Sequence, residues 1–170
     1  MPKLRRRRRQ AGRWIDEVPD PAAMLAHFEK HFRGIVALAH AKGARVVFAR
    51  QPWLHRESTA AAELCMWNFC ASPIVFEKPG PPAAYYTSAA IDALLRSCDR
   101  HWAALAASLG ITQADLSGAV PASGENFYDE LHFTEAGSRL AAEAIIAAIR
   151  RFESEVETDD PIHHARLVRQ

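Results

Sequence analysis

Residues 20–54 of the chain, DPAAMLAHFEKHFRGIVALAHAKGARVVFARQPWL, carry the clearest structural signal in the sequence. Asp20 before a proline is a helix N-cap signal, and apolar residues then recur at helical spacing. Gly43 is placed to end this helix in the left-handed conformation, and residues 44–49 predict a short strand. A helix that leads into a strand through one glycine is half of a βαβ unit, so the sequence predicts an α/β fold with a parallel sheet. The apolar face predicted for the helix consists of Leu25, Phe28, Phe32, Ile35, Val36 and Ala39.

The same signals predict two further helices and one more strand. Thr87 or Ser88 can cap a helix that Gly110 ends, and residues 111–116 predict a second, weaker strand. The last long helix is predicted to begin at Thr134. About three long helices and two clear strands are fewer strands than a doubly wound sheet contains, so the sequence indicates only part of such a domain.

A long connection separates the two predicted strands. Within residues 51–87, the stretch 58–67 could form a helix, whereas the proline-rich stretch 78–82 cannot. Connections of this length are uncommon unless they shape a site.

The composition is that of a soluble globular domain. Of the 170 residues, 49% are hydrophobic and 24% are charged, which excludes wholesale disorder. No apolar run approaches the ~20 residues that cross a bilayer, so no membrane partner is expected. The three cysteines lack C-x-x-C spacing, which argues against a disulfide framework and a zinc cage. We therefore predict a cytoplasmic protein with reduced thiols and with neither metal nor cofactor.

Both ends of the chain are strongly charged. Residues 1–18 include the run Arg5 to Arg9, and they predict a basic, disordered leader because like charges repel one another. No nucleic-acid partner is expected, since no aromatic or recognition-helix pattern accompanies the arginines. Residues 154–170 are acidic, contain histidines and lack an apolar period, so they predict a disordered tail. The folded domain is predicted to span residues 19–153.

The segment from Asn126 to Gly137, NFYDELHFTEAG, contains the most informative pair of titratable residues. Asp129 and His132 are three positions apart in a loop that leads into the last predicted helix. At this spacing the carboxylate can accept a hydrogen bond from one imidazole nitrogen, which leaves the other nitrogen free to act as a base. The alternative is that Asp129 is a helix cap and His132 a surface imidazole.

Residues 127–146 also resemble the last sequence block of the SGNH (GDSL-type) hydrolases, in which Asp-x-x-His is followed by Phe-Thr-x-x-Gly and an alanine-rich helix. The resemblance extends to residues 20–54 and to residues 85–88 with the helix after them, and it covers most of residues 16–152. It implies a partial flavodoxin-like domain of three layers, in which a Ser-His-Asp triad hydrolyses a small-molecule ester or acetyl ester without a cofactor.

The resemblance also implies roles for individual residues. His132 would be the general base and Asp129 the acid that orients it. By a weaker analogy, residues at the ligand-binding ends of parallel strands would line the substrate cleft. These residues are Gln51, Trp53, Tyr85 and Tyr86. For the aromatic ones, plain packing is the open alternative.

Two family blocks do not occur in the sequence: the Gly-Asp-Ser block of the nucleophile and the Gly-x-Asn-Asp block of the oxyanion hole. We expect the N-terminal strands and the nucleophile to lie outside these 170 residues, and the chain alone to be inactive. Ser117, Ser123 and Ser138 are the candidates for a substitute nucleophile. Only Ser117 follows a predicted strand, and no helix is predicted after it.

The main alternative function is that of a non-enzymatic interaction module. A partial sheet leaves an open edge and exposed apolar helix faces, which would favour self-association through that edge. Nucleic-acid binding through the arginine run is a further alternative, and it predicts strongly salt-dependent affinity.

Overall fold

The computed structural model describes residues 2–57, 60–67, 69–71 and 84–159. Helices alternate with short strands along the chain. In order, the elements are α1 (Pro2–Arg9), β1 (Arg13–Ile15), α2 (Ala22–Ala41), β2 (Val47–Arg50), a 3₁₀ turn (Leu54–Glu57), α3 (Ala60–Cys65), β3 (Ala84–Tyr86), α4 (Ser88–Ser108), β4 (Thr112–Asp115), α5 (Leu116–Ala119) and α6 (Glu135–Asp159). The proline-rich stretch 78–82 lies outside the described residues.

The described strands form two parallel pairs. β2 pairs with β4, with Val47 opposite Thr112, and β1 pairs with β3, with Arg13 opposite Ala84. The predicted α/β class with parallel strands is confirmed at this level. The sequence does not predict β1 and β3, because strands of three residues are too short to show an alternating pattern.

The boundaries of α2 and α4 agree with the predicted start and stop signals. Gly43 and Gly110 adopt the left-handed conformation just beyond the two helices, with φ of +70° and +65°, which a side chain would strain. Thr87 caps α4, because its Oγ1 accepts a hydrogen bond from the amide three residues on at 3.3 Å. Asp20 Oδ1 accepts one at 2.9 Å from the amide two residues on, where α2 begins.

The core lies between the long helices and the β2–β4 pair. α4 and α6 pack against both strands, and α2 packs on α4. Phe32 of α2 meets Phe48 of β2 edge to face, with ring centroids 5.0 Å apart. One core prediction is wrong: Ile35 is 63% exposed. The adjacent Val36, which is predicted on the same face, is 5% exposed and does face the core, because neighbouring positions on a helix point about 100° apart.

The arginine-rich start of the chain is folded, which corrects the predicted disordered leader over residues 1–18. α1 docks through Arg8, which is 2% exposed. Its guanidinium donates to Tyr86 O at 2.9 Å and lies over the rings of Trp14 and Tyr85, at 5.1 and 5.4 Å from their centroids. Cation–π attraction and burial of the apolar stem offset the repulsion within the run.

The other predicted end of the domain is corrected as well. α6 continues to Asp159, so regular structure extends past residue 154, where the sequence predicts that the disordered tail begins. Glutamate has a high helix propensity, so an acidic composition does not by itself end a helix. Residues 160–170 lie outside the described residues.

His55 is a buried histidine without a hydrogen-bond partner among the described residues. It is 1% exposed, and neither ring nitrogen is bonded there. Burial is the largest influence and lowers the pKa of His55 to about 4, although the nearby carboxylates of Asp92 and Glu63 oppose the effect. Arg8 lowers this pKa further. His55 is therefore neutral in the folded protein at pH 7.

We expect His55 to lower the free energy of unfolding by about 2 kcal/mol when the pH falls from 7 to 5. The unfolded chain protonates this imidazole near pH 6.5, whereas the folded chain does so only near pH 4, so acid favours unfolding. Urea denaturation at both pH values should show that His55→Leu removes this part of the pH dependence. His31→Leu, at an exposed position, should retain it. Equal pH dependence in wild type and His55→Leu would contradict the argument.

Candidate functional site

Asp129 and His132, called the dyad from here on, face each other. His132 Nδ1 is 2.9 Å from each carboxylate oxygen of Asp129. Asp129 is 1% exposed, whereas 62% of the His132 side chain is exposed. His132 Nε2 makes no hydrogen bond to any described residue. Since an ionised carboxylate only accepts, Nδ1 carries the proton and Nε2 the free lone pair. The structure thus shows the arrangement that the spacing predicts.

The dyad loop, residues 126–134, holds its shape through contacts within itself. Tyr128 N donates to His132 O at 3.1 Å. Phe127 and Phe133 form an antiparallel bridge, and their ring centroids are 5.1 Å apart. Phe127 is completely buried and belongs to the main core cluster. The backbone that carries the dyad is therefore anchored to the core of the fold.

The pKa of Asp129 lies below its ordinary value. Burial is the largest influence and would raise this pKa, but several hydrogen bonds to the carboxylate outweigh it. Leu131 N donates to Oδ1 at 3.0 Å, and Trp67 Nε1 donates to Oδ2 at 3.0 Å. The backbone N of His132 donates to Oδ1 at 2.9 Å, in addition to the ring contact. Each donor favours the charged form, so Asp129 is ionised at neutral pH.

The dyad loop lies at the carboxyl end of β2. Gln51 follows this strand directly, and its Nε2 donates to Leu131 O at 2.9 Å. Leu54 N donates to Glu130 O at 2.9 Å. The carboxyl ends of parallel strands are where α/β sheets bind ligands. Of the four residues predicted to line a cleft, Gln51 is the one that the structure brings to the loop.

The structure does not bring the three aromatic candidates to the dyad. Trp53 is 4% exposed, and its Nε1 donates to Asp92 at 2.7 Å. Tyr85 is 3% exposed and packs beneath Trp14, with ring centroids 6.3 Å apart. Tyr86 is half-buried in β3, and it makes no hydrogen bond or ring contact with the dyad. For Trp53 and Tyr85 the cleft prediction is corrected, because buried side chains offer no surface to a substrate.

Three residues that the sequence does not place at the site contact it. Trp67 donates to the carboxylate, and the Tyr128 ring stacks on the His132 ring at 5.5 Å with an angle of 11°. Arg5 of α1 donates to Tyr128 O and, at 3.1 Å, to Cys65 O. Tyr128 directly precedes Asp129 in the sequence, so its place beside the motif indicates that it lies near the site. The other two come from distant parts of the chain and carry no local signal.

Ser117 is not placed to act on the dyad. The structure corrects the expectation that no helix follows it, because α5 begins at Leu116 and Asp115 caps this short helix. However, Ser117 Oγ is buried and has no hydrogen-bond partner among the described residues. No hydroxyl in the described part of the chain is bonded to His132 Nε2.

The Thr-x-x-Gly part of the motif joins the dyad loop to α6. Thr134 Oγ1 accepts a hydrogen bond from Gly137 N at 3.2 Å, which caps the helix. Thr134 N donates to Asn126 O at 2.9 Å. A Cβ at position 137 would lie 2.1 Å from the same Asn126 oxygen. Glycine is therefore required here by the close approach of the loop backbone.

The described residues include neither a metal-ligand cluster nor a membrane-spanning helix. They contain no cluster of three or more His, Cys, Asp or Glu side chains that could hold a metal ion. None of their helices combines the length and the apolar composition needed to cross a bilayer.

Comparison with known proteins identifies no relative. No family model, curated protein or solved structure matches the chain. The geometry of the dyad and its surroundings is thus the basis for assigning a function.

Proposed function

We propose that the chain is the acid–base part of an ester hydrolase of the SGNH type, built on a partial flavodoxin-like domain. His132 is the general base and Asp129 the residue that orients it. One observation carries the proposal: Asp129 holds His132 Nδ1 at 2.9 Å, while the His132 side chain is 62% exposed and its Nε2 makes no hydrogen bond to a described residue. The loop position at the carboxyl end of β2 supports it. The three free thiols of the chain suit a cytoplasmic location.

The proposed chemistry follows from the charges of the dyad. Nε2 takes the proton of an alcohol as its oxygen attacks the ester carbonyl, and Asp129 stabilises the imidazolium that forms. The imidazolium then returns the proton to the leaving alcohol. The sequence contains neither the Gly-Asp-Ser nor the Gly-x-Asn-Asp block that would supply the nucleophile and the oxyanion donors of this scheme, so we expect the chain by itself not to turn over esters.

Reactivity of His132 with diethyl pyrocarbonate tests the base. The neutral Nε2 attacks this reagent and becomes carbethoxylated, which mass spectrometry quantifies for the peptide that contains His132. We expect Asp129→Ala to slow the reaction by roughly threefold to tenfold, because the proton is then no longer held on Nδ1. His31, an exposed histidine of α2, should react at the same rate in both proteins. An unchanged His132 rate in Asp129→Ala would contradict the proposed role of the dyad.

Labelling with a fluorophosphonate tests whether a nucleophile exists within the chain. This reagent modifies activated serines, and we expect none to react, because no described hydroxyl contacts Nε2. Saturable hydrolysis of p-nitrophenyl acetate that His132→Ala abolishes would instead show a complete site within the chain.

A second candidate function, that of a self-associating module, is favoured by the outer face of α2. Met24, Ile35 and Leu38 lie along one side of this helix and are 51%, 63% and 62% exposed. Within the described residues, β2 and β4 pair only with each other, so each leaves an unpaired edge. Sedimentation velocity separates the two candidates, since a module of this kind should dimerise and Ile35→Asp with Leu38→Asp should return it to monomer.

A further inference from the structure

Trp67 contacts the dyad from outside the dyad loop. It lies just after α3, and its Nε1 donates to Asp129 Oδ2 at 3.0 Å. The other donors to this carboxylate, Leu131 N and the backbone and ring of His132, belong to the loop itself. Among the described residues, Trp67 is the one donor that ties the carboxylate to a different part of the fold.

A second hydrogen bond, to a different carboxylate, fixes the backbone of Trp67. Its backbone N donates to Glu130 Oε1 at 2.5 Å, and Glu130 is 2% exposed. The side chain of Glu130 therefore holds the backbone of Trp67, while the side chain of Trp67 holds Asp129. Because both acceptors, Glu130 and Asp129, are buried, these two hydrogen bonds keep the indole N–H directed at Oδ2.

An indole N–H is chemically suited to this position. It only donates, and it does not titrate in the range where a histidine base works. It therefore stabilises the carboxylate without accepting the proton shared by Asp129 and His132. Without it, Oδ2 would lose a donor at a site that water hardly reaches, and the carboxylate would be freer to rotate.

We propose that Trp67 is a positioning residue of the dyad, whose indole N–H holds Asp129 in the orientation that presents His132 Nε2 to substrate. Trp67 acts through Asp129 and does not touch Nε2. The inference rests on the function proposed above and adds to it a residue that the Asp-x-x-His motif does not contain.

Replacing Trp67 with phenylalanine tests the inference, because it removes the N–H and keeps an aromatic ring. In Trp67→Phe the pKa of Asp129, followed through its carboxyl carbon by NMR, should rise, and carbethoxylation of His132 should slow by about threefold. Trp102→Phe is the matched control, since Trp102 Nε1 is buried but has no described partner. It should leave both measurements unchanged. A role in packing alone would not move the pKa of Asp129.

The two proposals fail in different ways. If Trp67→Phe leaves the pKa of Asp129 and the His132 rate as in the wild type, the positioning role is overturned, whatever Asp129→Ala does. If Asp129→Ala leaves the His132 rate unchanged, the proposed function fails, and the pKa measurement still decides whether Trp67 orients the carboxylate.

A measurement on the wild-type protein covers the case in which Trp67→Phe does not fold. The indole N–H resonance of Trp67 should shift as Asp129 titrates, because its acceptor changes charge. The resonance of Trp102 should not follow that titration. If the Trp67 resonance does not respond to Asp129, the positioning role is overturned.

Discussion

Replacing Gly137 with alanine should lower the free energy of unfolding by about 3 kcal/mol. The new Cβ would lie 2.1 Å from Asn126 O and 3.0 Å from Asn126 C, and both are backbone atoms that cannot turn aside. The dyad loop and the first turn of α6 must then move apart, which strains the bond from Thr134 N to Asn126 O. Urea denaturation followed by circular dichroism measures the loss.

Gly34 supplies the matched control for this substitution. It also lies within a helix, but no atom comes within 4 Å of a Cβ built there. Helix propensity should therefore dominate, and Gly34→Ala should stabilise the protein by up to ~1 kcal/mol. The two substitutions are thus expected to have opposite signs. A Gly137→Ala protein as stable as wild type would show that the backbone of Asn126 does not exclude a side chain at position 137.

Replacing Arg8 with methionine should cost about 3 kcal/mol of stability and release α1. Methionine keeps much of the apolar stem but removes the guanidinium, which bonds to Tyr86 O and lies over the rings of Trp14 and Tyr85. The nearby carboxylate of Glu130 would also lose a stabilising cation. Urea denaturation gives the stability, and quenching of tryptophan fluorescence reports whether Trp14 becomes more exposed.

Arg6→Met is the control for the same helix. Arg6 is exposed, so its replacement should change stability by no more than about 0.5 kcal/mol. Similar losses in the two variants would mean that the total charge of α1, and not the burial of Arg8, governs its docking.

The parts of the fold that follow from local interactions could be predicted from the sequence. Gly43 and Gly110 mark helix ends because the left-handed conformation is a property of a single residue. α1 and β1 could not be predicted, since what orders them is the contact of Arg8 with β3, 78 positions away. A run of arginines favours disorder until a distant part of the chain supplies an aromatic ring and a carbonyl, here Tyr85 and Tyr86 O.

The candidate site divides in the same way. Asp129 and His132 could be paired because they are three positions apart, and a loop brings such residues together. Trp67 is 62 positions from Asp129, and nothing in its neighbours along the sequence indicates that contact. The sequence predicts the wrong surroundings for Trp53 and Tyr85, because an aromatic residue at a strand end can serve either the core or a cleft.

The docking of α1 has a consequence for proteolysis. A run of five arginines offers trypsin a dense set of cleavage sites, but the protease must bind its substrate as an extended chain. Pro2–Arg9 is helical, and Arg8 is held against β3, so cleavage must wait for this segment to detach and unwind. The rate at which trypsin cleaves the native protein among these arginines therefore reports the local unfolding of the amino-terminal helix.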